Sequence, residues 1–255
     1  MEVKISVVII TLNEEKNIGR CLDSVVDIAD EILIVDSFST DRTQEICKKY
    51  SVKFLQHKFE GYSEQKNWAN KQASFPHILS LDADEALSEE LKKNIHAIKC
   101  NWNANAYCFN RLTNYCGKWI YHTGWYPDKK LRLWDRRFGN WQGIIHEKVI
   151  LTNGETHFLK GNLLHYSYYS ISQHIRQMNK FSEIGAKNIL QKGKKVSFWK
   201  ILVNPIVKFL RFYFINLGFL DGFYGFMISE ITAFETFLKY SKAFNIQKSR
   251  RKNTL

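Results

Sequence analysis

The stretch "HILSLDADEALSEEL", residues 77–91, joins an apolar run, Ile78 to Leu81, directly to three acids, Asp82, Asp84 and Glu85. Such a cluster either solvates a turn before a helix capped by Ser88, or holds a divalent cation. What precedes it decides the fold. "ISVVII" (5–10), "EILIVD" (31–36) and "VKFLQH" (52–57) are short runs, apolar on both faces. Helical patterns separate them: 15–26 with Ile18, Leu22, Val25 and Val26 on one face, 39–50 opening on a cap at Ser39 or Thr40, and 62–73. Strand–helix alternation of this kind predicts an α/β fold with a mostly parallel sheet covered on both sides.

In such a sheet, ligands collect at the carboxyl ends of the strands. Polar clusters follow three of the four predicted strands there: Thr11 to Glu15, Asp36-Ser37 with Asp41, and Asp82-Ala83-Asp84. No G-x-G-x-x-G follows the first strand, and no G-x-x-x-x-G-K-[ST] occurs, so neither a dinucleotide fold nor a P-loop is supported. Shorter candidate strands follow, "AYCFNR", "KWIYH", "KLRLW" and "EKVIL", in a region rich in Trp, Tyr and Arg. Helical periodicity returns over 170–190.

A length of 255 residues suffices for one large α/β domain with an appendage. The formal net charge of +12 is uneven, because residues 192–255 carry twelve Lys/Arg against three acids. An anionic partner for that quarter is expected. The five cysteines form no C-x-x-C pair and read as reduced thiols of a cytosolic protein. The opening "MEVKISVVIITLNEE" lacks a basic n-region, so no signal peptide is expected. The tail "QKSRRKNTL" has the composition of a disordered segment.

Residues 198–244 are dense in aromatics, but Lys200, Lys208, Arg211, Asp221 and Glu230 interrupt every run long enough to cross a bilayer. Lys200, Asn204, Lys208 and Arg211 share one helical stripe with apolar residues around it, the pattern of a helix lying in a membrane interface. Pro205 should start or kink that helix. An ordinary core helix pair is the plain alternative. A nucleic-acid platform is disfavoured, because the aromatics follow an apolar helical pattern.

"SVVIITLNEEKNI", "EILIVDSFSTDRT", "GYSEQKNWA", "LSLDADE" and "WQGIIHEKV" together resemble a family 2 glycosyltransferase. "GIIHE", "GKK" and "GFLDGFYGF" resemble its bacterial subgroup that adds glucose to the lipopolysaccharide inner core, with β-1,4-glucosyltransferase activity. The resemblance implies a GT-A domain over 1–190, its donor half about 1–100 and acceptor half about 101–190; the basic, aromatic-rich helical segment 191–255 follows it and is expected, from its own pattern, to associate with membrane. It implies a nucleotide-sugar donor, with UDP-glucose expected, and a Mg²⁺ or Mn²⁺ ion. Thr11, Asn13, Glu15 and Asp41 would line the nucleoside pocket, and Asp36 would contact the same pocket or hold the loop. Lys66 and Asn67 stand where the family usually has Arg-Asn, and would face the diphosphate. Asp82 and Asp84 match the D-x-D motif that holds the metal, with His165 as a further ligand.

Inverting transfer needs a carboxylate to take the acceptor's proton. The resemblance gives that role to Glu147, where His-Glu replaces the usual Glu-Asp and leaves open a share for His146. Asp135 and Glu85 are the other acids available. Arg132, Arg136 and Arg137, with Lys129 and Lys130, would suit an anionic glycolipid acceptor. The expected place of action is the cytoplasmic face of a bacterial inner membrane. Transfer to polyprenyl phosphate, and a non-catalytic membrane-docked protein, are the alternatives.

Overall fold

The computed structural model describes residues 2–143 and 147–252, without the side chains of 250–252. The chain forms two compact units, Met1–Leu112 with Pro127–Tyr166, and Thr113–Tyr126 with Ser167–Leu255. The boundary expected at 190/191 falls inside the second.

The first unit opens with β1 (Ile5–Thr11), α1 (Ile18–Asp23), β2 (Glu31–Asp36), α2 (Thr43–Cys47), β3 (Lys53–Gln56), α3 (Tyr62–Gln72) and β4 (His77–Asp82). The four strands pair in parallel in the order β3-β2-β1-β4. Alternate residues of β1 serve opposite faces. Val7 and Ile9 join Ile18, Leu22, Ile34 and Leu81 on one side, while Val8 meets Leu33, Val35, Ile78 and Trp134 on the other. Full burial of each such side chain is worth about 1.5–3 kcal/mol, which explains why these strands read as unbroken apolar runs.

β5 (Glu85–Leu87) and α4 (Glu89–Cys100) follow, then β6 (Ala106–Tyr115), β7 (Lys118–Ile120), β8 (Asp128–Asp135), β9 (Gly139–Gln142), β10 (Lys148–Leu151) and β11 (Thr156–Tyr168). β8 runs antiparallel beside β4, β6 beside β8, and β11 with β5 completes the sheet. β7 pairs with β6, and β9 with β10 forms a separate ribbon.

Several local expectations are corrected. α1 is shorter than 15–26, and Val26 is exposed while Val25 is buried. Ser39 and Thr40 do not cap α2, which begins at Thr43 without a side-chain cap; both bond Asn13 instead. The strands β5, β9 and β11 had no counterpart in the sequence pattern.

The second unit contains β7, α5 (Ile171–Gln191), α6 (Phe198–Leu210), a π-helical turn (Arg211–Ile215), a 3-10 turn (Gly218–Asp221) and α7 (Gly222–Lys252). α6 continues through Pro205 instead of starting there. α7 carries helix through 247–252, where composition suggested disorder. The "GFLDGFYGF" segment acquires a structural role here. Buried Asp221 accepts the backbone N–H groups of Tyr121 at 3.3 Å and His122 at 2.8 Å, and lies 3.1 Å from His122 Nδ1. A Cβ on Gly225 would come within 1.8 Å of the Gly218 carbonyl oxygen, so the first turn of α7 requires glycine.

Candidate active site

Strand register builds the site. Thr11 pairs with Asp36 and Ile10 with Asp82, which aligns the polar ends of β1, β2 and β4 along one edge. The chain then turns into β5, and β5 pairs with β11 so that His165 stands opposite Glu85. That pairing brings His165 Nε2 to 3.2 Å from Asp84 Oδ2, across 81 residues of sequence. Two of the three expected metal ligands are therefore brought together by a strand that sequence periodicity did not reveal.

Asp82 is held from two sides. Lys66 Nζ lies 2.9 Å from its Oδ1, and Arg132 Nη2 donates to its Oδ2 at 2.8 Å. Burial alone would raise its pKa, but the two cations hold the carboxyl far below the usual carboxylate range. Arg132 also donates to Glu85 at 2.8 Å, and Glu85 accepts the Asp82 backbone N–H at 3.0 Å. Against the loss of hydration, these two acids raise the Arg132 pKa. Glu85, which the sequence left without a role, is thus a buried brace beneath the Asp82–Asp84 turn. Arg132 is correspondingly removed from the expected acceptor surface. Arg137 pairs with Asp135, and Arg136 donates to the Asn70 carbonyl. Lys130 pairs with Asp128 at 3.0 Å, and Lys129 lies over the Phe158 ring.

Lys66 extends from α3, is only 1% exposed, and also reaches Glu147 Oε1 at 3.2 Å. Its ammonium lies 4.3 Å from the centroid of the Trp141 ring. One lysine therefore joins the acid at the end of β4 to the acid beyond β9. Asn67, one residue on, exchanges two hydrogen bonds with the backbone of Trp141, at 2.8 and 2.9 Å. Those bonds make it a brace for β9. His146 lies outside the described residues.

The β1 and β2 ends are laced together. The Asn13 N–H donates to Ser39 and its Oδ1 accepts the Thr40 N–H, both at 2.8 Å, with Asn13 at φ 55°. Asp41 accepts the Glu15 N–H at 3.0 Å and the Thr43 hydroxyl at 2.6 Å, and Glu15 in turn accepts from Arg42. Burial raises the Asp41 pKa, but these donors bring it below the usual range. Asp36 is fully buried and accepts from Ser39. Thr11 Oγ1 and His165 Nδ1 are buried with no hydrogen-bond partner among the described residues. Glu14, which sequence reading passed over, joins this edge. Burial and the charges of Asp84, Asp41 and Asp82 raise its pKa, although a hydrogen bond from Asn17 lowers it.

No group of three metal-ligating side chains converges among the described residues. Asp84 and His165 nevertheless supply one oxygen and one nitrogen donor side by side, a pair better suited to Mn²⁺ than to Mg²⁺ when a ligand's oxygens complete the shell. Asp82 does not fit as a direct ligand in the same way, since Lys66 and Arg132 engage both its oxygens. The arrangement offers a cation-competent pair, a buried lysine and a nearby carboxylate at the ligand-collecting edge of a parallel sheet.

Residues 6–152 match the profile described as Glycosyl transferase family 2. An uncharacterized glycosyltransferase of Rickettsia typhi is 35% identical over 94% of this chain and 86% of its own length. The lipopolysaccharide core biosynthesis glycosyltransferase LpsC of Rhizobium meliloti is 30% identical over 94% of this chain and 92% of its own. Among solved structures, S. aureus TarS 1–349 aligns at TM-score 0.47 and 16% identity, covering 98% of this chain and 92% of that one. The chain spans 39% of a longer TarS chain. With the family match covering more than half its residues and the relatives matching nearly end to end, this chain belongs to glycosyltransferase family 2 and has its GT-A fold.

Proposed function

We propose that this glycosyltransferase moves a hexose, with UDP-glucose as the donor, onto a hydroxyl of an anionic lipid-linked glycan such as the lipopolysaccharide inner core, with inversion. The observation that carries the reading is the shared lysine: Lys66 bridges Asp82 and Glu147, so the donor edge and a candidate base are parts of one buried network. The LpsC relative, named for core biosynthesis, supports the acceptor class.

In this reading Thr11, Asn13, Glu15 and Asp41 line the nucleoside pocket, with Asp36 beneath it. Asp84 and His165 hold a Mg²⁺ or Mn²⁺ ion, which when bound supplies positive charge to the diphosphate leaving group. Asp82 fixes the turn that presents Asp84, and Lys66 keeps a positive charge behind the cluster. Glu147 takes the proton as the acceptor oxygen forms its bond to C1, and the diphosphate departs with the electron pair of the broken C1–O bond.

The reading is tested by offering UDP-glucose with two acceptors, a truncated anionic inner-core glycolipid and a polyprenyl phosphate. Transfer to the glycolipid that Glu147→Gln reduces by about 10²–10⁴-fold, with donor binding intact, is expected of a general base. A phosphate acceptor needs no such base. Transfer to polyprenyl phosphate alone, unaffected by Glu147→Gln, overturns the reading.

A further inference from the structure

Trp199, Val203, Ile206, Leu210 and Phe214 recur along α6 and the π-helical turn at steps of four, three, four and four, so they share one helical stripe. All five are open to solvent, Trp199 at 71%. The opposite face of α6 is satisfied within its own unit, where Ile201 is buried with Ala186, Val196 and Ala243. Between the two faces runs the third stripe, Lys200, Asn204, Lys208 and Arg211. Past the break, Leu220 in the 3-10 turn and Phe223 at the start of α7 are also exposed. An exposed apolar stripe of this length, bordered by polar groups, marks an interaction site.

Charge selects the occupant. Lys192, Lys194 and Lys195 stand just before α6, and residues 192–255 hold twelve Lys/Arg against three acids. A second copy docking face to face would set the same cations against each other, whereas an anionic surface complements them. A planar apolar boundary with negative headgroups beside it matches an apolar stripe next to a basic one. No single described helix is long and apolar enough to cross a bilayer; the pair Phe198–Ile215 with Gly218–Ser249 meets that length and composition only together, across a 69° bend, and its basic stripe favours the interface.

We infer that α6, the π-helical turn and the start of α7 form a docking surface for an anionic lipid bilayer. α6 lies in the plane of the interface, with the Trp199–Phe214 stripe among the acyl chains and Lys200 and Arg211 at the headgroups. The surface belongs to the second unit alone and does not depend on the transfer chemistry.

The test is sedimentation of the full chain with phosphatidylcholine vesicles, with and without phosphatidylglycerol. Wild type partitions onto the mixed vesicles, and Lys200→Gln/Arg211→Gln reduces that partition by about tenfold or more. Trp199→Ser/Ile206→Ser/Phe214→Ser abolishes binding to either composition. These side chains are exposed, so circular dichroism and UDP binding should match wild type. Loss of UDP binding in wild type would count against the transfer reading and not against this surface. Wild type that ignores both vesicles overturns the inference, as does binding equal in all variants. A lipid-free dimer that the triple serine variant converts to monomer also overturns it, by assigning the face to a second copy.

Discussion

Lys66 Nζ lies 2.9 Å from Asp82 Oδ1 and, in the same buried position, 3.2 Å from Glu147. One cation thereby bridges two acids that stand 65 residues apart in sequence. Lys66→Met removes that charge and leaves both carboxylates facing each other's field. Breaking a fully buried pair costs about 3–5 kcal/mol; these acids keep some contact with water, so a loss of about 2–3 kcal/mol is expected. Urea unfolding at neutral pH measures it. Lys66→Arg, which restores the usual family residue type and the charge, should recover most of the stability.

His165 reaches Asp84 only through the pairing of β11 with β5. In the proposed site it is one of two protein ligands to the cation, so it should matter more than the outer-shell partners whose loss typically weakens a metal site 10–100-fold. His165→Ala is therefore expected to weaken Mn²⁺ binding in the presence of UDP by about 100-fold. Electron paramagnetic resonance of free Mn²⁺ reads this without any turnover. Unchanged binding would remove His165 from the metal site.

His174 makes the second unit acid-sensitive. It is buried among Tyr115, Trp125 and Tyr168, with Nδ1 3.0 Å from the Tyr115 hydroxyl. Burial pushes its pKa down to about 4, whereas the unfolded chain protonates it near 6.5. The unfolded state therefore binds more protons between those values. The resulting stability is complete above about pH 6.5 and is lost as pH falls toward 4. Thermal unfolding between these limits should fall more steeply in wild type than in His174→Phe. The variant also strands the Tyr115 hydroxyl and should be about 1 kcal/mol less stable at neutral pH.

The polar edge was legible because parallel strands bury both faces, so β1, β2 and β4 appear as continuous apolar runs ending in polar residues. The brace beneath that edge was not. Nothing in "KLRLW" distinguishes a solvated arginine from Arg132, which is buried between Asp82 and Glu85. Its burial depends on β8 lying next to β4, a long-range pairing. β11 escaped notice because its burial is mixed and gives no clean period-two signal. Ser39 and Thr40 had the chemistry of a helix cap, but Asn13, brought near by β1 and β2, competes successfully for their bonds. Asn67 fell in a family-like motif, yet the backbone of Trp141 takes both ends of its amide.

A screen of nucleotide sugars with Mn²⁺, read as binding and as slow hydrolysis, bears on everything proposed for the Asp82–Asp84 edge. Wild type should select one UDP-sugar, and Asp84→Ala should lose metal-dependent binding and hydrolysis of it by about 100-fold or more while remaining folded. If no donor is bound in the presence of Mn²⁺, or if Asp84→Ala handles the donor as wild type does, the assignment of this edge to a metal-bound nucleotide sugar is wrong.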